Sequence, residues 1–537
     1  MAYYPVDPTN PLNPIIPSPT PVTKPAPEPV SPTTPGGIQP PSPYPMPPYP
    51  PTPTKPIYPV GKSFSIQSPG IFGVIDEAEV DDFLIPEGGV VKSKNVHFDR
   101  RGAITLRLGM TAIGSTVSAG YPCLGMHNVS GSTLLVAFSD GTNNDIYRWS
   151  GSDCSKCLED DTKDSRTRFV DFAGRTIRVN GIDNSIRCWT GVADGPTYWE
   201  YTGNPINPQQ LWGIEPKFIE VYKSRVYVIG DNTNDDRLYF SSVINSAGNI
   251  TWDTTLDYVD INPDDGENVT GLRRYSLELL IFKPNYIYRF KTAGMDPDPL
   301  IKIGTRSNES IIEGKKGLYF HHDNGFFRYT GEIPEEISLP IRPFVAAIPL
   351  SARSTISAWH DDNHIVWSVG DLTVDGEPWK NVELRFTESD DTWTVYSRAT
   401  PIKWATDFAN GSTLVRAISN SKGEVFTYDS GYTDSGEPIP FFCVLKWYEL
   451  GSVIIKKTVP GLVAICKKAQ GTDLMYQIDN EESWHTLGQL RKYLTYFLNK
   501  NISCHRIQFK IAGVSSVETF VFQKIVILPT ITEGLIE

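Results

Sequence analysis

A hairpin pattern repeats along the middle of the chain and constrains its fold more than any other feature. Each copy has an apolar strand rich in β-branched residues, a polar turn with Gly, Asn or Asp, and a second strand with aromatic residues. Three second strands share a phrase: "DIYRWSG" (145–151), "SIRCWTG" (185–191) and "FFRYTG" (326–331). The seven copies lie at 132–151, 174–191, 223–242, 277–290, 316–331, 362–389 and 412–431.

The spacing of these hairpins predicts a β-propeller. Successive second strands begin 39 to 58 residues apart, and a repeat of about 40–50 residues built from short antiparallel strands is typical of propeller blades. We therefore predict an all-β chain with a β-propeller of six or seven blades over residues 61–435. The aromatic residues are expected to pack between neighbouring blades, and the Arg to cover the strand or pair across it. An irregular array of β-sandwiches is the alternative.

The first 60 residues have a composition of their own. They hold 23 of the 44 prolines and only four charged residues. Because proline fixes φ and cannot donate to a sheet, residues 1–60 are predicted to form a proline-rich extended arm without a core. The arm is either a linker or an attachment to a partner. For the second case the candidate partner-binding residues are its tyrosines: Tyr3, Tyr4, Tyr44, Tyr49 and Tyr58.

Residues 436–537 interrupt the repeat and predict a C-terminal β-sandwich-like domain, or a sheet laid against the propeller. Four segments read as strands, among them "FFCVLKWYELG" and "ETFVFQKIVILP". The segment "WHTLGQLRKYLTYFLN" (484–499) is compatible with a short helix or a long loop. Two lysine pairs, at 456–457 and 467–468, are expected at a solvated sheet edge, with a partner contact as the alternative.

The charge balance excludes some classes of function. The chain has 49 Lys and Arg against 62 Asp and Glu, a formal net charge of −13, which argues against a general nucleic-acid clamp. No apolar run is long enough to span a bilayer, and the first residues lack the pattern of a secretory signal. The seven cysteines are scattered and odd in number, so no disulfide framework is expected.

No motif predicts catalysis. Cys154 and Cys157 have metal-like spacing, but no second ligand pair follows them. The segment 321–323, "HHD", falls at a predicted hairpin turn, where polar residues serve the backbone. The acid-rich "DINPDDGENVTGL" (260–272) lacks the spacing of a calcium-binding EF-hand. We therefore expect a protein that is not an enzyme, with no catalytic, cofactor-binding or metal-binding residue.

Four stretches taken together resemble a family of phage proteins. The first, "LIPEGGVVKSKNVHFDRRGAITLRLGMTAI" (84–113), has a Gly-rich turn and an "N-x-x-F-D-R-x-G" phrase. The others are "RTRFVDFAGRTIRVNGIDNSIRCWTG" (166–191), "RLYFSSV…ITWDTTLDYVDINPDDGENVTGL" (237–272) and "IGTRSNESIIEGKKGLYFHHDNGFFRYTG" (303–331). Over roughly residues 84–350 the chain resembles the β-propeller tail proteins of short-tailed phages, often called nozzle or packaged-DNA stabilisation proteins. The proline-rich arm is not part of that pattern.

The resemblance implies a structural virion protein in the phage tail, neither an enzyme nor a sequence-specific binder. It implies a homohexameric ring below the portal and adaptor, which continues the DNA channel, helps to retain packaged DNA and passes it at ejection. The implied partners are further copies of the chain, adaptor and portal-proximal proteins, the needle, fibres or spikes, and viral DNA in the lumen.

A propeller that binds or cleaves host glycans at the tail periphery is the alternative function. Its support is the aromatic content and "ESDDTWTVY" (388–396), which is partly similar to the Asp-box of sialidase-like propellers. The Gly of that box is absent, and only one such copy occurs.

Overall fold

A computed structural model describes residues 63–532 of the chain, apart from short gaps. The gaps are 77–83, 114–121, 130–132, 140, 150–153, 159–164, 184, 192–198, 201–204, 264, 291–296, 411–412, 421–422, 452–453, 470, 480 and 516–518. Only the backbone is described at 154, 200, 407–410, 413–420 and 531–532. The arm and its five tyrosines lie outside the described residues.

Five short strands precede the repeat: β1 (Phe64–Gln67), β2 (Val90–Lys94), β3 (Val96–Phe98), β4 (Ile104–Leu106) and β5 (Met110–Ala112). Blade 1 comprises β6 (Cys123–Val129), β7 (Thr133–Ser139), β8 (Asn144–Trp149) and β9 (Cys154–Leu158). Blade 2 comprises β10 (Arg168–Phe172), β11 (Arg175–Val179), β12 (Arg187–Trp189) and β13 (Trp199–Glu200). Blade 3 comprises β14 (Phe218–Tyr222), β15 (Arg225–Ile229), β16 (Arg237–Phe240) and β17 (Tyr258–Asp260).

Blade 4 comprises β18 (Gly271–Tyr275), β19 (Glu278–Phe282), β20 (Ile287–Phe290) and β21 (Pro297–Ile301). Blade 5 comprises β22 (Ile312–Glu313), β23 (Leu318–His322), β24 (Gly325–Tyr329) and β25 (Glu335–Glu336). Blade 6 comprises β26 (Ser357–Asp361), β27 (His364–Val374), β28 (Glu377–Thr387) and β29 (Thr392–Ser397). Blade 7 comprises β30 (Ile402–Asn410), β31 (Thr413–Asn420), β32 (Val425–Tyr428) and the earlier strand β5.

Nine strands follow blade 7: β33 (Thr433–Asp434), β34 (Glu437–Tyr448), β35 (Lys457–Lys468), β36 (Thr472–Ile478), β37 (His485–Gln489), β38 (Tyr493–Cys504), β39 (Ile507–Ser515), β40 (Val521–Ile527) and β41 (Ile531–Thr532). The helices are short: α1 (Arg342–Ala346), α2 (Leu350–Arg353) and 3-10 turns at Pro208–Leu211, Asn308–Ser310 and Leu339–Ile341. None of the described helices has the length and apolar character needed to cross a membrane.

Six described four-stranded sheets and blade 7 form a seven-bladed propeller, and the four strands of blade 7 belong to a ten-stranded sheet that continues into the strands outside the propeller. The first strands of successive blades contact one another or the 3-10 turn before blade 5, and β30 of blade 7 contacts β6 of blade 1, which closes the ring. The predicted all-β propeller is therefore confirmed, and of the two predicted blade numbers the sheets give seven. The seven predicted hairpins coincide with the second and third strands of the seven blades.

The repeated phrase packs as predicted. Apolar clusters fill the gaps between neighbouring blades, and between blades 3 and 4 Tyr227 and Phe240 pack with Phe290. Burying each such side chain contributes about 1.5–3 kcal/mol. The Arg of the third phrase pairs across its blade, since Arg328 bonds the directly opposite Glu335 at 2.8 Å. The phrase thus supplies an apolar face for the neighbouring blade and, in blade 5, a charged pair between adjacent strands.

A strand from before blade 1 closes the propeller. β5 pairs antiparallel with β32 as the outermost strand of blade 7. Next to it, the backbone of Gly109 exchanges hydrogen bonds with Ser430 and Gly431, both at 3.0 Å. A Cβ atom on Gly109 would lie 2.0 Å from the carbonyl oxygen of Thr433. The two segments therefore approach closely only because residue 109 has no side chain.

Arg107 joins the incoming and outgoing segments at this closure. The side chain is 2% exposed, and its guanidinium bonds both carboxylate oxygens of Asp434, at 2.8 and 2.6 Å. It also donates to Asn95 Oδ1 (2.8 Å) and to the carbonyls of Leu108 (3.0 Å) and Ser397 (3.1 Å). All five N–H donors of Arg107 therefore have acceptors, which offsets the cost of burying its charge.

Asn95 extends this junction to the neighbouring sheets. Its side-chain amide donates to the Pro440 carbonyl at 2.8 Å, and its Oδ1 accepts from the Ser397 backbone at 2.7 Å. A second buried pair lies beside it, because Arg398 bonds both oxygens of Glu383 at 3.0 and 3.1 Å. We call Asn95, Arg107 and Asp434 the closure junction.

The strands outside the propeller form a β-sandwich from both ends of the described chain. One sheet has the order β3-β4-β40-β35-β38, with β1 on β40 and β41 on β35. The other runs β2-β34-β39-β36-β37. The structure thus differs from the predicted division at residues 61 and 436, because β1 to β4 belong to the sandwich. One apolar cluster, which includes Trp367, Trp379 and Phe441, runs from blades 5 and 6 into the sandwich.

Two local expectations for the C-terminal region are wrong. Residues 484–499 are neither a helix nor a loop, since they contribute β37 and most of β38. The lysine pairs do not mark a sheet edge, because β35 lies between β38 and β40. Lys457 is 3% exposed, and its ammonium donates to the Glu449 carbonyl at 2.7 Å.

The Gly109→Ala substitution tests the closure. The new Cβ meets a backbone carbonyl that cannot rotate away, so we expect a loss of about 3 kcal/mol or more in the free energy of unfolding. Gly376→Ala is the control for backbone strain without a close contact, because Gly376 has a positive φ of 76° and no atom lies within 4 Å of its Cβ position. It should cost about 1 kcal/mol. Urea unfolding measures both, and equal losses would contradict this account of the closure.

Candidate functional site

Ion pairs cross the centre of the propeller. Glu309 lies in the 3-10 turn that leads into blade 5, and its carboxylate accepts hydrogen bonds from Arg166 and from Arg168 Nε, the latter at 2.7 Å. Arg168 begins β10 in blade 2, and Arg166 precedes it. Because blades 2 and 5 are not neighbours in the ring, these bonds span its central channel. The channel is therefore occupied by side chains at this level.

The charges of this central cluster are mutually dependent. Burial raises the pKa of Glu309, but the guanidiniums of Arg168 and Arg166 outweigh it and hold the value at about 2. Arg168 also donates to the Lys217 carbonyl at 2.8 Å and lies 4.4 Å from the ring of Phe218 in blade 3. The cluster is thus a structural brace across the ring.

The segment 321–323, which the sequence places at a hairpin turn, takes part in packing and ion pairing. His321 ends up buried beside Phe326, at 5.0 Å between ring centres, and neither ring nitrogen has a partner among the described residues. Burial lowers the pKa of His321 to about 3, so the ring is neutral at physiological pH. Asp323 lies in the predicted turn and bonds Arg306 at 2.8 Å and Arg353 at 3.2 Å. The carboxylate of this trio is therefore committed to two arginines.

The acid-rich segment 260–272 surrounds a lysine. The side chain of Lys283 has no exposed surface, and its ammonium lies 2.8 Å from Asp265, 2.9 Å from Asp236 and 3.2 Å from the Asn262 carbonyl. Burial lowers the pKa of Lys283, but its bonds to Asp265 and Asp236 outweigh this and raise it. The cation between these acids is thus supplied by the protein.

The cysteine candidates are placed in blade 1. Cys157 is buried on β9 and its Sγ lies 3.3 Å from the Ile146 carbonyl; the side chain of Cys154 is not described. Across the described residues, no group of three or more His, Cys, Asp or Glu side chains is arranged to hold a metal ion. Glu388, in the Asp-box-like segment, is buried and bonds His360 at 2.8 Å.

The outer face of the sandwich carries an exposed apolar strip. Leu494, Tyr496 and Leu498 on β38 are 46%, 61% and 53% exposed. Their cross-strand partners on β35 extend the strip, since Ile465 lies opposite Leu494 and Val463 opposite Tyr496. On its open side, β38 pairs with no other described strand. Exposed apolar area beside an open sheet edge is typical of a protein interface.

Unpaired cations border this strip. A cleft of about 550 Å³ is lined by Arg100, Arg101, Lys467 and Lys524, and Ile465 forms part of its wall. None of these four cations has an ion-pair partner among the described residues. Lys524 lies opposite Ile465 and therefore continues the apolar strip directly. We call the apolar strip and these cations the outer face.

The charge of the outer face contrasts with the remainder of the chain. Residues 437–537 contain eleven Lys and Arg against nine Asp and Glu, which leaves 38 against 53 for residues 1–436. Residues 231–267 alone hold nine acids and one Arg, and they include Leu256, which is 76% exposed. This acidic rim borders β17, the outermost strand of blade 3.

Sequence reasoning missed both the central cluster and the outer face. Arg166 and Glu309 are far apart in sequence, and no local pattern links them. The sequence did contain a signal for the outer face. In "YLTYFL" (493–498), apolar residues fall on both faces of one strand, and Arg491 and Lys492 precede it.

Comparisons with known proteins do not assign this chain to a family. No protein-family model matches the chain, and no curated protein matches its sequence. Among solved structures, the chain is similar to a streptogramin B lyase (14% identity, TM-score 0.39, 60% of this chain and 97% of that chain). It is also similar to the Pan2 WD40 domain of Neurospora crassa (9% identity, TM-score 0.38, 62% and 97%). Likenesses this distant carry no argument about activity, and the propeller assignment rests on the sheets of the seven blades.

Glu309→Gln tests the brace across the ring. Removing this buried charge leaves two guanidiniums with less compensation, so we expect a loss of about 3 kcal/mol in the free energy of unfolding. Glu335→Gln is the control, since it removes a carboxylate 65% exposed and paired with Arg328, and it should cost less than about 1 kcal/mol. Equal effects in urea unfolding would contradict a structural role for Glu309.

Proposed function

We propose that this chain is a structural virion protein of a short-tailed phage, which assembles into a ring in the tail tube. In this role it helps to retain packaged DNA and passes it at ejection, with adaptor, portal-proximal and other tail proteins as partners. The observation that carries the proposal is the outer face, an apolar and basic surface on an acidic chain. The sequence resemblance over roughly residues 84–350 supports the location in a phage tail.

The outer face fits a second copy of the same chain. Its cations complement the acidic rim of blade 3, and its apolar strip has a counterpart in the exposed Leu256. Such a contact joins two different surfaces, and heterologous contacts of this kind close into rings when the rotation allows. The combination of apolar strip and cations favours a protein over a nucleic acid, because protein interfaces have apolar centres with polar rims.

The DNA path in this proposal lies between the copies. The Arg166–Glu309–Arg168 cluster occupies the centre of each propeller, so a lumen wide enough for a duplex is formed by the ring as a whole. The acid excess of residues 1–436 supports passage, since acidic walls repel phosphates and let DNA slide.

Charge reversal on the outer face tests assembly. Lys524→Glu combined with Tyr496→Ser should leave the fold intact but shift the protein to monomers, because Tyr496 is exposed and Lys524 is half-buried beside the strip, outside the core. The matched control is Lys316→Glu, an exposed lysine on the propeller with side-chain exposure of 41%. Mass photometry measures the oligomer.

The partner surface is tested by restoring the charge pair. Asp257→Lys on the acidic rim should recover part of the assembly lost by Lys524→Glu alone. Recovery by Asp257→Lys but not by Glu335→Lys would locate the contact at blade 3. An unchanged oligomer in the outer-face variant would refute the proposed interface.

The location is tested on virus particles. Gold-labelled antibodies against this chain should bind the tail directly below the head vertex in electron micrographs of the purified phage. Label on peripheral fibres would instead favour a glycan-binding role. Particles without label, or without the chain by mass spectrometry, would overturn the virion assignment.

A further inference from the structure

A groove of about 400 Å³ opens at the edge of the sandwich, and it shares Gln67 with the cleft of the outer-face cations. It lies between β1 in one sheet and the end of β34 in the other. Its walls are largely aromatic or charged, and the residues that matter to the argument are Phe64, Glu87, Trp447, Tyr448 and Arg506.

The indole of Trp447 is the donor that this groove presents. The guanidinium of Arg506 lies 4.4 Å from the ring of Trp447 and holds the indole in place. Trp447 Nε1 makes no hydrogen bond to a described residue. The hydroxyl of Tyr448 is buried without a partner among the described residues, and burial raises its pKa, so it remains a donor. Trp447 is half-buried, so its Nε1 is open to a carbonyl oxygen of a ligand in the groove, whereas the buried Tyr448 hydroxyl is not.

Polyproline segments have the matching chemistry. Their backbone carbonyls make no internal hydrogen bonds, and their rings stack on aromatic side chains. They also lose little conformational entropy on binding because they are already extended. An aromatic groove with a free Trp donor is thus suited to a proline-rich segment.

This chain contains such a segment. Residues 40–56, "PPSPYPMPPYPPTPTKP", hold ten prolines and two of the candidate tyrosines, Tyr44 and Tyr49. Sixty residues in polyproline geometry span about 190 Å, several times the radius of gyration of about 23 Å expected for the folded part. Phe64 is itself a wall of the groove, so a stiff arm that starts there favours the groove of a neighbour.

We propose that residues 40–56 of one copy bind the Phe64–Trp447–Tyr448 groove of a second copy. The rings of Trp447 and Phe64 pack against prolines, and Trp447 Nε1 donates to an arm carbonyl. This inference rests on the proposed self-assembly and not on the phage location. It identifies the partner of the arm as the chain itself.

Photocrosslinking in the full-length protein tests the proposal. One sample carries Glu87→p-benzoylphenylalanine at the groove wall, and the other is heavy-isotope labelled without a crosslinker. The two are mixed before assembly and irradiated, and mass spectrometry identifies the linked peptides. We expect links from position 87 to heavy-labelled residues 40–56. Links only to the light arm, links to other segments, or no links would each overturn the proposal.

A variant of the arm keeps the test independent of the fold. Replacing Pro47, Pro48, Pro50 and Pro51 by serine changes only the arm and should reduce the crosslink about tenfold, the effect of losing about 1.4 kcal/mol. A crosslinker at the exposed Glu332 of blade 5 serves as the control position and should give no links to the arm. An unchanged crosslink in the serine variant would overturn the role of the prolines. Gold labelling of particles tests the phage location by a separate measurement. A failure of the arm contact can therefore be distinguished from a failure of the proposed location.

Discussion

The bidentate bond between Arg107 and Asp434 is the interaction on which the rest of the structure depends. It ties the segment that enters blade 7 to the segment that leaves it, and Asn95 extends the tie to blade 6 and the sandwich. Burial raises the pKa of Asp434, but Arg107 and Arg398 outweigh it and keep the carboxylate charged. Apolar packing between blades has no direction, whereas this junction sets which strand completes the ring.

The propeller was predictable because its signal is local. In each hairpin, apolar strands flank a polar turn within 14 to 28 residues, and the repeat of that unit indicates blades. The two-ended sandwich was not predictable in this way, because Phe64 pairs with Ile527 and Val90 pairs with Leu445. No local pattern reports such distant pairing. Distant pairing also explains why residues 484–499 were not predicted as strands. β38 pairs with β35 and β37 pairs with β36, so these partners set the strands rather than the local sequence.

The candidate functional residues show the same difference between local and long-range signals. Residues singled out for chemistry, such as His321 and the acids of 260–272, were visible in the sequence but serve packing and ion pairing in the fold. The cations of the outer face come from the β3–β4 turn, β35 and β40, so only the folded sandwich brings them together. Its apolar strip was partly readable from the alternation along β38. A surface built from several strands requires the fold before it can be recognised.

The sandwich also has a consequence for synthesis. β1 leaves the ribosome first among the described strands, yet its partner β40 is the last but one to emerge. Blade 7 likewise waits with β5 unpaired until β32 appears. Long-range pairing of this kind slows folding and leaves strand edges open while the chain is made. The seven blades can pack in order during translation, but the ring and the sandwich close only after nearly the whole chain has been released.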